Sequence, residues 1–359
     1  MKKIAGIVLT LGTVAGTASA QSSVTMYGVM DLTARHTSNE GAGSINSVAS
    51  GGNSTSKLGF RGIEDLGGGL SAGFWLESGI AADHGSIGLS PVGTFFDRRS
   101  TVSLISKRFG EVRAGRDLVT SYANWGRFDP FAYVGVASAA NFVTASQTGP
   151  IRAAFSTSPN TTVRSSNSIQ YLLPPGLYGF DGGIMAGLRE EGTAASNQHR
   201  YVGVRLGYTL GRLYVSAATG NSENNLTLGQ KFKDSAIAVK YELSAVKLSG
   251  GVRQFRFNDA KQVNLLLGAV VPVGVGEIKL SFNRANMSGT VGGRSIDAND
   301  ATQIGLGYVH HLSKRTAIYT SFARISNKGG ANFTVPGGPS GMRGGGTSRG
   351  IDVGLRNSF

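Results

Sequence analysis

The chain contains no cysteine among its 359 residues. This absence excludes a disulfide scaffold, a cysteine-ligated zinc site and thiol catalysis together. Histidine is also scarce, with five residues, and the sequence has no HExxH motif, no GxSxG elbow and no Walker loop. We therefore expect no catalytic residue, no metal and no cofactor, and an enzyme is the least favoured interpretation of this chain.

Long apolar runs are missing as well. Beyond the N-terminus, no segment approaches the about 18 to 20 unbroken apolar residues of a membrane-spanning helix. The N-terminus has the form of a secretory signal, with two lysines, a short apolar core over 4–14 and an A-x-A cleavage motif that ends at Ala20. The sequence thus predicts a cleaved signal peptide over 1–20. The mature chain, 21–359, is then either soluble or a β-barrel.

Acidic residues are few relative to basic ones. The chain has 35 lysines and arginines against 21 acidic residues, a formal net charge of +14. On a soluble protein such a charge would indicate a nucleic-acid partner. However, there is no helix-turn-helix, zinc-finger or aromatic RNA-binding motif, so no nucleic acid is expected. Behind an export signal, the positive charge is suited to small anions or to lipid phosphates.

The chain is rich in segments in which apolar and polar residues alternate. Segments of about ten residues with an apolar residue at every second position recur throughout. In one of them Ile278, Leu280 and Phe282 alternate with Lys279 and Ser281. The 54 glycines are too many for a helical protein, and many lie inside such segments. Both features are typical of strands that bend around a barrel.

The alternation predicts sixteen antiparallel strands. They cover about 24–36, 54–65, 69–80, 95–108, 110–117, 164–173, 177–189, 199–209, 213–221, 231–242, 246–257, 261–271, 274–285, 300–311, 315–326 and 348–359. Most connections alternate between short and long, as do the periplasmic turns and outer loops of bacterial barrels. Sixteen strands enclose a lumen too wide for side chains to fill, so it should hold water. The last strand alternates up to Phe359, which we expect to be held in the sheet.

One connection stands apart from the others. It runs from Leu118 to Val163, about 46 residues, and contains seven aromatic residues together with Pro130 and Pro150. A loop in water is rarely so apolar, and the available surface is the lumen, so we expect this third long loop to fold inward and narrow the pore. The glycine-rich stretch 329–346 is predicted to be a mobile outer loop.

Six segments carry a resemblance to a known family. They are SSVTMYGVMD (22–31), SKLGFRGIEDLGGGLSAGFWLESG (56–79), RRSTVSLISKRFGEVRAGR (98–116), RSSNSIQY (164–171), YVHHLSKRTAIYTSFARISN (308–327) and VGLRNSF (353–359). Taken in this order, over the whole length, they resemble the trimeric general-diffusion porins of β-proteobacteria. The resemblance implies a homotrimer of sixteen-stranded transmembrane β-barrels in the outer membrane, with passive diffusion of small hydrophilic solutes.

The resemblance also implies a constriction in which basic wall residues face acidic residues of the third loop. Motif by motif, the basic wall positions match Lys57 in SKLGFRG, Arg98 in RRS and Arg116 in GEVRAGR. Arg164 opens the motif that follows the third loop. Arg98 and Arg99 are adjacent, so strand alternation predicts that only one of them faces the lumen, without settling which.

Two further candidates lie elsewhere. Arg35 shares a face with Asp31 on the first strand, and we expect it to point inward nearer the outer mouth. Asp129 is the one carboxylate of the third loop, and it either opposes the basic wall or caps the loop. Arg127 and Arg152 add positive charge to the same loop, unlike the acid-rich loops of cation-preferring relatives. The sequence therefore predicts a preference for anions.

Two kinds of channel remain open from the sequence. The favoured one is a non-specific porin, and the alternative is a substrate-specific outer-membrane channel, which would show saturable conductance and an aromatic track along its wall. The expected partners are outer-membrane lipid and lipopolysaccharide, two further copies of the chain, and small hydrophilic solutes and anions.

Overall fold

The structure is a computed structural model that describes residues 23–88, 94–144, 148–156, 161–189 and 199–359. The predicted signal peptide and the predicted outer loop over 190–198 lie outside the described residues. In chain order the elements are β1 (Ser23–Asn39), β2 (Gly43–Ser50), β3 (Lys57–Gly67), β4 (Leu70–Ala81), β5 (Ser86–Ile87), β6 (Arg99–Ser106), β7 (Gly110–Leu118), α1 (Thr120–Trp125), α2 (Asn141–Thr144), α3 (Pro150–Phe155), β8 (Arg164–Leu172), β9 (Phe180–Gly187), β10 (Arg200–Leu210), β11 (Leu213–Glu223), β12 (Phe232–Glu242), β13 (Lys247–Phe257), β14 (Ala260–Val273), β15 (Gly276–Ser288), β16 (Thr290–Val291), β17 (Arg294–Ser295), β18 (Ala301–His311), β19 (Thr316–Asn327) and β20 (Thr347–Ser358).

Sixteen of these strands, all except the hairpin strand β2 and the two-residue β5, β16 and β17, form one closed antiparallel barrel. The predicted fold class is therefore confirmed. Closure is made by β1 and β20, from Val29 opposite Ser358 to Asn39 opposite Ser348. Phe359 extends this pairing, because its backbone exchanges two hydrogen bonds with Gly28, of 2.9 and 3.1 Å.

The two faces of the wall differ in polarity. On β10, Val202, Val204 and Leu206 are exposed on the outer face, whereas Tyr201 and Arg205 are buried on the inner face. This arrangement is apolar outside and polar inside, as lipid and water require on the two sides of a barrel. Aromatic side chains form an exposed band beside the short turns: Phe109, Tyr171, Phe180, Tyr208 and Tyr241. No helix in the described part of the chain combines the length and apolar character needed to cross a membrane.

Several strand boundaries differ from the prediction by a few residues, and two of the differences change the local structure. β1 continues to Asn39 and forms a hairpin with β2, within a segment predicted to be loop. The strand predicted over 95–108 begins only at Arg99. Before Arg99, hydrogen bonds that involve side chains replace regular backbone pairing with β4. The Gly79 amide donates to Asp97 Oδ1 at 2.8 Å, and the Ser78 hydroxyl donates to the Phe95 carbonyl. Residues 95–98, called the strap below, therefore run along the wall as an irregular segment that includes Asp97 and Arg98.

The glycine-rich stretch 329–346 does connect two strands at the outer end, but it is not a free loop. Ala331, Phe333 and Val335 are each at most 1% exposed. The Phe333 ring packs against Phe142 of the third loop, with centroids 5.0 Å apart. The prediction of a mobile loop is wrong, because these apolar side chains, which occupy every second position, pack inside the mouth of the barrel.

The third loop folds into the lumen, as predicted. Its helices α1 and α3 contact β9 to β14. Trp125 and Phe128 pack with Leu266 in one cluster, and Phe155 packs with Phe255 in another. These aromatic residues explain why the loop is so apolar. The passage runs between the loop and the facing wall, which is built from β1, β3, β4, β6 and β7.

Candidate pore constriction

Three charged side chains meet on the wall that faces the third loop. Glu77 of β4 lies between Lys57 of β3 and Arg98 of the strap. Its carboxylate is 3.3 Å from Lys57 Nζ and 2.6 Å from Arg98 Nε. The Lys57 and Arg98 side chains remain 27% and 20% exposed, so both cations still border the passage. This group carries one more positive than negative charge.

Arg98 and Arg99 both point into the lumen. Arg99 Cζ lies 4.0 Å from the centroid of the Trp75 ring, and its Nη2 is 3.4 Å from Asp117. The prediction that only one of the two arginines faces inward is wrong. Arg98 precedes the first residue of β6, where strand alternation does not apply.

Arg116 and Arg164 both donate hydrogen bonds to backbone carbonyls of the strap, which carries Arg98. Arg116 Nε donates to the Asp97 carbonyl at 2.6 Å, and Arg164 Nε donates to the Arg98 carbonyl at 2.8 Å. Arg116 also donates to Ser166 Oγ at 2.9 Å. The two guanidinium groups therefore hold the strap against the wall, while they add positive charge beside Arg98.

Arg35 lies on the inner face but away from this group. It is 7% exposed and forms a two-pronged ion pair with Asp352, which lies directly opposite in the register, at 2.7 and 2.9 Å. The same carboxylate accepts the amide of Val136 in the third loop at 3.3 Å. Arg35 is thus neutralised, and it connects the barrel seam to the loop.

Asp129 lies inside the third loop. It is 5% exposed and accepts the backbone amides of Phe131, Tyr133 and Ala139 at 2.9–3.0 Å. Burial raises the pKa of the Asp129 carboxyl, although the three amides act in the opposite direction. Of the two roles left open by the sequence, this is the geometry of a loop cap. The third loop therefore presents no accessible carboxylate to the basic wall.

Sequence reasoning missed the residues that fasten the third loop. Arg253 of β13 is fully buried and pairs with Asp234 of β12 through two hydrogen bonds, of 2.9 and 2.7 Å. Arg253 Nη1 donates to the Tyr133 hydroxyl at 2.8 Å, and the Ser121 hydroxyl donates to Asp234 at 2.6 Å. The available signal was that Arg253 and Phe255, two residues apart, share the inner face, since a partly aromatic inner face must be covered by other side chains.

A second fastening lies on β18, three strands along the wall from β13. Gln303 of β18 donates to the carbonyls of Ala137 and Ser138 at 3.0 and 3.1 Å, and its Oε1 accepts a hydrogen bond from the side-chain amide of Asn141 at 2.9 Å. Together with the bond between Asp352 and Val136, it holds the middle of the loop to the wall. Glu77 was missed as well, although it shares an alternating face with Trp75.

A closed sixteen-stranded barrel with an apolar exterior, a charged inner wall and an inward-folded third loop defines the class of outer-membrane diffusion channels. Residues 5–330 match the family model described as Gram-negative porin. The chain belongs to the Gram-negative porin family, and it forms a general porin channel.

Individual relatives agree with this assignment. The chain is 36% identical to outer membrane porin protein 32 of Delftia acidovorans, over 98% of this chain and 99% of that protein. It is 26% identical to an outer membrane porin of Bordetella pertussis, over 89% and 93% of the two chains. Its fold matches the anion-selective porin from Comamonas acidovorans with a TM-score of 0.78 and 34% identity, over 94% of this chain and all of the other. These relatives are channels and not enzymes.

Proposed function

We propose that this porin prefers anions among the small hydrophilic solutes and ions that diffuse through it. The observation that carries the proposal is the asymmetry of the constriction. Lys57 and Arg98 border the passage, with Arg116 and Arg164 behind them, whereas the one carboxylate of the facing loop, Asp129, is buried. The similar porin from Comamonas acidovorans is described as anion-selective, which supports the same preference here.

The mechanism is electrostatic filtering in a wet constriction. Fixed cations raise the local concentration of anions and lower the barrier to their entry. Two unit charges about 4 Å apart attract by roughly 1 kcal/mol in bulk water and by about 4 kcal/mol at an effective dielectric constant near 20. Arginine remains charged at any physiological pH. The preference should therefore be moderate and should weaken as salt screens the wall.

Zero-current potentials in a KCl gradient test this preference. We expect chloride to be the more permeant ion, and we expect Lys57→Gln with Arg98→Gln to shift the potential towards potassium, because Glu77 then remains as the uncompensated charge. Arg324→Gln is the matched control, since Arg324 faces outward on β19 and lies outside the lumen. A cation preference in the unaltered protein would contradict the proposal.

We further propose that lipopolysaccharide binds a basic belt on the outer face of the barrel, defined as Lys233, Arg256, Lys261, Arg324 and Arg349. Lys233, Arg256 and Lys261 are opposite one another on β12, β13 and β14, near the long loops. Their neighbours in sequence are buried in the lumen, so the three side chains point outward. Arg324 and Arg349 are likewise directly opposite on β19 and β20.

Like charges at directly opposed positions destabilise a sheet. In the described part of the chain, no acidic side chain lies within ion-pair distance of any belt residue, although the nearby Arg284 has Asp300 at 3.7 Å. An external polyanion at this height of the wall would offset the repulsion. The phosphate groups of an outer-leaflet glycolipid supply such charge, and each cation near an anionic membrane surface contributes about 1 kcal/mol.

The belt can be tested on protein refolded without lipopolysaccharide. We expect Lys233→Gln, Arg256→Gln and Lys261→Gln together to weaken binding of added lipopolysaccharide at least about tenfold, the equivalent of 1.4 kcal/mol. Lys233→Arg with Lys261→Arg retains the charge and should bind normally. Equal binding by the neutral triple variant, or equal binding of dephosphorylated lipopolysaccharide, would contradict the role of the belt.

We also propose that the chain is exported across the inner membrane and assembles with two further copies of itself. Residues 1–20 act as a cleaved signal peptide, and 21–359 form the barrel, which assembles as a homotrimer in the outer membrane. The sector of β3, β4 and β6 is the candidate trimer contact, because its outward face carries apolar side chains such as Phe74 and Val102 and none of the belt residues.

A further inference from the structure

A second site lies on the same wall, on the side of the constriction towards the short turns. A cavity of about 400 Å³ opens there, and its lining includes Arg61, Trp75, Ile105 and Arg113. These residues come from β3, β4, β6 and β7, whose inner faces are aligned by the register. The Lys57–Glu77–Arg98 group does not line it.

The aromatic part of this cavity is held rigidly. The Trp75 indole donates to the Tyr27 hydroxyl, which donates in turn to Glu77 Oε2 at 2.8 Å. The rings of Tyr27 and Trp75 meet edge to face with centroids 6.0 Å apart, and the Arg99 guanidinium covers Trp75 at 4.0 Å. Trp75 is therefore fixed by a hydrogen bond at its edge and by a cation against its ring.

Arg61 supplies a cation that lacks a counter-charge. It is exposed, and its Cζ lies 5.8 Å from the ring centroids of both Tyr27 and Trp75. In the described residues, no carboxylate lies within ion-pair distance of Arg61. By contrast, Arg99 pairs with Asp117, and Arg113 pairs with Asp117 and with Glu111. Among the described residues that line this cavity, Arg61 is thus the cation whose guanidinium N–H groups have no carboxylate partner.

We propose that this cavity binds small aromatic carboxylates, the chemical class of benzoate, as they pass through the pore. The carboxylate accepts two hydrogen bonds from the Arg61 fork, a geometry that suits a planar anion. The ring of the ligand packs against Trp75 and the apolar Ile105, in offset or edge-to-face contact. An inorganic anion or acetate can use only the first of these contacts. The inference rests on the proposed function, because the ligand must reach a wet lumen that admits anions.

Intrinsic fluorescence reports this site directly. The chain has two tryptophans, and Trp125 is 1% exposed within the third loop, so a ligand in the lumen reaches Trp75. Titration of the detergent-solubilised protein with sodium benzoate should give a saturable change in fluorescence that sodium acetate at equal ionic strength does not give. Trp75→Phe should abolish the change. Arg61→Gln should weaken the apparent affinity at least about tenfold, as expected for loss of a charge-assisted pair.

Two variants separate specific recognition from bulk charge. Arg61→Lys retains the charge without the fork and should give an intermediate affinity. Arg127→Gln removes a cation from the third loop, outside this cavity, and should leave the benzoate affinity unchanged. Equal affinity of Arg61→Gln and the unaltered protein, or an equal response to acetate, would overturn the site. Either result combined with retained chloride preference would leave the proposed function intact, whereas a potassium preference would overturn that function whatever the fluorescence showed.

Discussion

Replacing Arg253 with methionine should destabilise the barrel by about 3–5 kcal/mol, which is the usual cost of removing one partner from a buried ion pair. Arg253 is fully buried, and the substitution leaves the Asp234 carboxylate inside the wall with only the Ser121 hydroxyl as a side-chain partner. The Tyr133 hydroxyl loses its bond to the guanidinium as well. Unfolding of the detergent-solubilised protein, followed by circular dichroism in denaturant, measures the change.

The same strand provides a matched control. Arg256 lies three residues further along β13 but points outward, so Arg256→Met should change the stability in detergent by less than about 1 kcal/mol. Single-channel recording provides a second readout, because a third loop released from β12 and β13 should alter the open conductance. Equal stability of the two methionine variants would show that the buried pair does not fasten the loop.

Deletion of Phe359 should reduce the yield of folded barrel at least about tenfold. The deletion removes the two closing hydrogen bonds to Gly28, and each such bond contributes about 1 kcal/mol. It also removes the ring that fills the space beside Gly28, where a Cβ atom would lie 2.3 Å from Phe359 Cζ. The amount of folded protein that resists SDS at room temperature, quantified in isolated outer membranes, measures the effect.

Phe359→Ala separates the backbone from the ring, because it keeps the two hydrogen bonds and removes only the aromatic contact. We expect its yield to fall between those of the deletion and the unaltered protein. Normal levels of folded protein after deletion would mean that β1 and β20 close the barrel without this residue.

The strands were predictable from the sequence because their periodicity is local. Residues two apart share a face whatever the rest of the chain does, and lipid outside with water inside makes that pattern strong. The prediction failed where side chains replaced the ladder, as with Asp97 before β6. It also failed at Phe333, because a buried position in that stretch depends on a surface provided by the third loop.

The constriction was less predictable, since its geometry depends on contacts far apart in sequence. The motifs indicated Lys57 and Arg98, but not that Glu77 lies between them at 3.3 and 2.6 Å. Nothing local distinguishes Arg116, which donates a hydrogen bond to the strap, from Arg61, which has no acidic partner among the residues that the structure describes. Likewise, a single aspartate in a long loop can oppose a wall or cap a turn, and only the positions of the amides of Phe131, Tyr133 and Ala139 distinguish the two.

The fastening of the third loop to β13, β18 and β20 has a consequence for how solutes are sorted. Because the third loop is bonded to the wall at several points, it cannot move away to admit a bulky molecule. The width of the constriction is therefore fixed. Solutes above a threshold size should then be excluded abruptly, and this threshold should not depend on transmembrane voltage. Among the solutes small enough to pass, charge should determine the relative rates of permeation.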